Sequence, residues 1–173
     1  AVNGIYAHAE AVGATGNIAV TLYNNVTVNS TSSYGIQASS NNNGNISIIT
    51  NSGDVINSGS TGINAVNLSP SIDPSYDSSI VVTAAGTINS GTALTGTGNQ
   101  PGGIVAGYLG PAPGGVVTTT FPLTALNGDV VVNSFANINA AGGDGIRAYN
   151  YGIGDVFVND LAGTITALNV GSP

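Results

Sequence analysis

Cysteine, lysine, methionine and tryptophan are all missing from this chain, and arginine occurs once, as Arg147. Without cysteine, neither a disulfide framework nor a thiolate metal site can hold the fold, so stability must come from backbone ladders and packing. With no lysine and a single arginine there is no basic face to neutralise a row of phosphates or to lie on an anionic bilayer. Nucleic acid is therefore not an expected partner. Charged residues make up 5% of the chain, against about 25% in an ordinary soluble domain, so hydroxyls and amides must carry the solubility. No apolar run approaches the roughly 18 residues of a membrane span. The opening stretch AVNGIYAHAE has no initiating Met and lacks the basic and apolar segments of a signal peptide, which points to a processed or excised start.

What remains is 173 residues, 42% of them hydrophobic, with 26 glycines and a net charge of −7. That is enough apolar content for one continuous core, and residues 1–173 are expected to form a single domain.

Internal repeats set the architecture. The pattern Gly-Ile-x-Ala occurs at Gly4–Ala7, Gly35–Ala38, Gly62–Ala65, Gly103–Ala106 and Gly145–Ala148. After each copy comes a short alternating segment: Ile18–Val20, Ile46–Ile48, Ile80–Val82, Val130–Val132 and Val156–Val158. A third follows, with Asn or Thr at its centre: Val28–Ser30, Ile56–Ser58, Ile88–Ser90, Ile138–Ala140 and Ile165–Ala167. Gly35 to Gly62 spans 27 residues, a length suited to three short strands and three turns. Longer repeats keep all three segments and add residues only between them, near 66–78, 91–102 and 107–127, as insertions into a solenoid do.

This periodicity predicts an all-β parallel β-helix of about five three-strand coils. Ile5, Ile36, Ile63, Ile104 and Ile146 should stack inside as one column, and Asn29, Asn57, Asn89 and Asn139 should stack outside as an amide ladder.

The Gly-Ile-x-Ala segments, together with stretches such as Thr50–Val55 and Ala85–Gly91, resemble bacterial autotransporter passenger domains and related β-helical adhesins along essentially the whole chain. The resemblance implies export across the cell envelope and a right-handed parallel β-helix displayed at the cell surface or secreted. Two family features are missing: the membrane-anchoring barrel and a protease triad motif.

Catalytic chemistry is scarce. The only histidine, His8, is expected in an exposed turn with Glu10 close by, and no strained nucleophile turn accompanies it. Asp129 and Asp155 follow equivalent glycines in successive coils and should lie about 5 Å apart, close to the separation of a retaining glycosidase pair. Earlier coils carry Asn17, Asn45 and Ser79 at that place, so a polar outer row is the simpler reading. If the two carboxylates share an ion, Ca²⁺ is the natural bridge, and no other cofactor is expected. A non-enzymatic role is expected.

Two binding surfaces are expected instead. One is the corner that carries the long insertions, where Tyr76, Tyr108, Phe121, Tyr149 and Tyr151 could contact carbohydrate or a host or cell-surface protein. The other is the pair of solenoid ends. Ile5 and Ala7 at one, and Val158 and Ile165 at the other, would pair with a second copy or with further repeats of the same polypeptide, as a fibre subunit does.

Overall fold

A computed structural model describes residues 2–12, 14–68, 77–94, 101–108 and 127–168. All regular structure among the described residues is β. Coil one carries β1 (Ile5–Ala9), β2 (Ile18–Thr21) and β3 (Thr27–Ser30), and coil two carries β4 (Ile36–Ser40), β5 (Ile46–Ile49) and β6 (Val55–Ser58). Coil three carries β7 (Ile63–Asn67) and the long β8 (Asp77–Ser90), and coil four β9 (Gly102–Tyr108) and the long β10 (Asn127–Ala140). Coil five closes the series with β11 (Asp144–Asn150), β12 (Val156–Asp160) and β13 (Ile165–Ala167).

Every strand pairing is parallel and joins equivalent strands of successive coils. The first face runs β1-β4-β7-β9-β11, and the second runs β2-β5-β8-β10-β12. The third is formed by β3, β6, the second halves of β8 and β10, and β13. The chain is thus a parallel β-helix. Its register is the one the repeats predict: Ile5 pairs with Ile36, Ile36 with Ile63, Ile63 with Ile104, and Ile104 with Ile146.

The core is a set of aliphatic columns. Ile36, Ile63 and Ile104 on the first face, Ile46, Ile80 and Val130 on the second, and Ile56, Ile88 and Ile138 on the third are all fully or almost fully buried. Glycine opens each Gly-Ile-x-Ala segment for a packing reason. A Cβ at Gly35, Gly62, Gly103 or Gly145 would overlap the Cγ2 methyl of Ile56, Ile88, Ile138 or Ile165 across the same coil. The first and third faces therefore meet at a corner too tight for any side chain.

The corner between the second and third faces is made in two ways. In coil two the buried Asp54 carboxylate takes the backbone N–H of Val26 on Oδ1 at 2.9 Å and that of Asn51 on Oδ2 at 2.7 Å. In coil three Gly86, at φ +87°, turns the strand without interrupting its ladder, so β8 crosses both faces. A Cβ at Gly86 would strike the carbonyls of Asp54 and Asn51. The insertion ranges also narrow. Residues 66–67 belong to β7, 77–78 to β8, 102 and 107–108 to β9, and 127 to β10.

Candidate functional site

The insertion corner does not present its aromatics as the sequence suggests. Tyr76 and Phe121 lie outside the described residues. Tyr108 is a core residue and not a surface contact: it ends β9, is 1% exposed, and its hydroxyl lies 3.0 Å from Ser78 Oγ. Burial pushes its hydroxyl pKa up to about 12, the Ser78 hydrogen bond pulling the other way and Asp129 and Asp77 adding to the rise. Tyr149 and Tyr151 are half-buried and lie against each other, with ring centroids 5.5 Å apart. The Tyr149 ring lies over Gly107, where a Cβ would overlap it, and burial raises its pKa. The more exposed rings are elsewhere: Tyr6 on the outer face of β1, Tyr23 after β2, Phe135 in β10 and Phe157 in β12. Strand alternation carried the signal for two of them, since Tyr6 falls between Ile5 and Ala7, and Phe157 between Val156 and Val158.

His8 sits in β1 rather than in an exposed turn, because the first strand continues to Ala9. Its Nδ1 faces Ser39 Oγ at 2.7 Å and Ser39 O at 3.0 Å, while Nε2 is 3.6 Å from Glu10 Oε1 and the ring stacks on Tyr6. Serine, histidine and glutamate are the right types for nucleophilic catalysis, but the geometry is that of a latch between coils. Ser39 is buried, and a protonated Nδ1 has a backbone carbonyl to donate to.

Asp129 and Asp155 are indeed adjacent in one column. Asp129 Oδ1 accepts the backbone N–H of Asp155 at 2.9 Å. Asn17 Oδ1 does the same for Asn45, and Asn45 Oδ1 for Ser79. The carboxylate thus continues a row of side-chain acceptors. Among the described residues no three of His, Asp and Glu converge to hold a metal ion. Asp144, the first residue of β11, lies 3.9 Å from Arg147.

The outer rows are hydrogen-bonded ladders. Asn57 Nδ2 donates to Asn29 Oδ1, Asn89 Nδ2 to Asn57 Oδ1, and Asn139 Nδ2 to Asn89 Oδ1, each at 2.8 Å. Asn159 Nδ2 donates likewise to Asn133 Oδ1, and Thr164 Oγ1 to Asn137 Oδ1. A shallow depression of about 270 Å³ beside the first ladder is lined by Asn29, Ser30, Thr31, Asn57, Ser58 and Gly59. None of these residues titrates near neutral pH.

The ends differ from the flanks. At the last coil Val156 is 41%, Val158 48% and Ile165 38% exposed, although each continues a column that is fully buried one coil earlier. Within the stack Ile18 donates its backbone N–H to Asn45, Val130 to Asp155 and Ile138 to Thr164. Val156 and Ile165 occupy the same register positions, so theirs point away from coil four. At the first coil Ile5 and Ala7 are only partly buried against the core. Among the described residues the aliphatic columns are thus more exposed at coil five than at coil one, where Ile18, Val20 and Val28 are buried. No protein-family model, curated protein or solved structure matches the chain.

Proposed function

We propose that this chain is a non-catalytic structural element of a secreted or cell-surface adhesive protein, a rigid solenoid whose ends accept further coils. The observation that carries the reading is where the polar chemistry goes. The outer Asn, Asp and Thr side chains are spent on ladders between coils, and the buried Asp54 carboxylate on two backbone N–H groups. Side chains committed to holding one coil on the next are what a load-bearing scaffold needs. The resemblance of the repeats to autotransporter passengers supports a location outside the cell, and the near absence of charge is compatible with it.

The test combines location with chemistry. Intact cells of the producing organism should be labelled by an antibody against the solenoid, and external protease should remove the label. The purified protein should leave polysaccharides uncleaved. A signal seen only after lysis would overturn the surface role. Cleavage that is lost in Asp129→Asn or Asp155→Asn, with the fold intact, would overturn the non-catalytic one.

A further inference from the structure

We infer that the edge of coil five takes coil one of a second copy, head to tail and in unbroken register. The inference deepens the scaffold reading by naming the partner of its exposed end, and it rests on a polarity common to the outer rows of the second and third faces. On these two faces, the bonds between register-equivalent outer positions have the donor on the later coil and the acceptor on the earlier one, whereas on the first face His8 of coil one faces the carbonyl of Ser39 in coil two. The later-coil donor holds for the column through Asn29, for Asn159 on Asn133, for Thr164 on Asn137, and for the backbone N–H groups of Asn45, Ser79 and Asp155.

The two ends are consequently complementary. At coil five the same rows end in Asp155, whose N–H is taken by Asp129, in Asn159, whose Nδ2 is taken by Asn133, and in Thr166, each with a side-chain oxygen able to accept. Coil one offers donors at the same three register positions, the Asn17 N–H, the Thr21 hydroxyl and Asn29 Nδ2. In these side-chain rows two C-terminal edges would set acceptor against acceptor and two N-terminal edges donor against donor, whereas the backbone offers both donors and acceptors at either edge. The head-to-tail arrangement alone continues the side-chain rows and the backbone ladders together.

The apolar columns agree. Val156, Val158 and Ile165 would receive Ile18, Val20 and Val28, which stand at the same register positions in coil one. The half-exposed aliphatics of coil five would then be covered as Val130, Val132 and Ile138 are covered. Because the contact is heterologous and the translation does not close, the product is an open filament.

One residue opposes the contact. By register Asp160 continues the inward column of Leu22, Thr50, Ala84 and Ser134, all of them buried. A stacked copy would set Leu22 over this carboxylate, which makes the junction between copies weaker than the junctions within one.

Two blocked variants test the inference. Val158→Asp places a charge on the C-terminal edge. Thr27→Pro removes an N–H from the N-terminal edge at the first residue of β3, a strand position where proline is tolerated. Sedimentation and electron microscopy of the wild-type chain over rising concentration should show open-ended oligomers, and each variant alone should be monomeric. A mixture of the two variants should form a one-to-one dimer that grows no further, since each supplies the edge the other lacks. Asp160→Ser should tighten wild-type association by about tenfold, while Ser47→Glu on the middle of the second face should leave it unchanged. A wild-type chain that stays monomeric at high concentration, closed dimers of like ends, a mixture that fails to dimerise while both variants keep their β circular dichroism, or no tightening by Asp160→Ser would each overturn the head-to-tail junction. None of these outcomes bears on surface location or on catalysis, so the scaffold reading stands or falls separately.

Discussion

The first and last coils of the solenoid occupy the same columns and meet water very differently. Ile18 and Val28 in coil one are 7% and 6% exposed, whereas Val156 and Ile165, their counterparts in coil five, are 41% and 38% exposed. The residue types are closely matched, so the difference lies in the surroundings and not in hydropathy. The interior is nearly closed at its first coil and open at its last, which makes addition at coil five the step that removes most apolar surface from water.

The sharpest way to break this contrast is to truncate one column at two heights. Ile88→Ala, fully buried in coil three, should cost about 2–5 kcal/mol, while Ile165→Ala in the same column should cost about 1 kcal/mol or less, because its side chain is already partly hydrated. Urea unfolding of the two variants checks this, and equal losses would mean that the last coil is as well packed as the middle.

The next effect is a pH dependence carried by Tyr108. Its hydroxyl pKa is raised from 10.0 to about 12 in the folded protein, so between those values the unfolded chain loses a proton that the folded one keeps. Its contribution is fully present below pH 10.0 and is lost as pH rises through about 12, at about 1.4 kcal/mol per pH unit across that window. Thermal unfolding followed across that window should show the decline, and Tyr108→Phe should lessen it while Tyr149 keeps the remainder. Tyr149 in coil five, whose pKa burial also raises, adds to the same alkaline loss.

The smallest expected effect lies in the ladder. Asn57 both donates to Asn29 and accepts from Asn89, so Asn57→Ala should cost about 1 kcal/mol. Thr166→Ala, at the end of the same column, should fall within about 0.5 kcal/mol of wild type for a surface site. Association raises the cost of Thr166→Ala, since its hydroxyl then gains a partner.

The columns could be read from the sequence because the repeats state them twice, once by alternation and once by the glycine that opens each first strand. Ile5 through Ile146 and Asn29 through Asn139 stand where the repeats place them. The single long strands of coils three and four were hidden. Ala84-Ala85-Gly86 reads as a break between two strands, but a glycine at positive φ bends the chain while its ladder partners follow it. Tyr108 was misplaced for a related reason, since an aromatic beside a long insertion looks like loop, and only the pairing of β9 with β7 and β11 draws it inside. The direction of each side-chain amide has no signature in sequence at all, so a column of asparagines announces a ladder without saying which end is which.

That direction has an electrical consequence. Backbone hydrogen bonds between parallel strands run alternately up and down the stack, and their dipoles largely cancel. The amide groups of Asn29, Asn57, Asn89 and Asn139 all point the same way, so their moments add along the solenoid axis as peptide moments add along a helix. In a chain with 5% charged residues there is little to mask such an axial moment. It leaves the coil-five face, with Asp155 and Asp160 exposed on it, as the negative pole. Each coil that extends the ladder lengthens this dipole instead of quenching it.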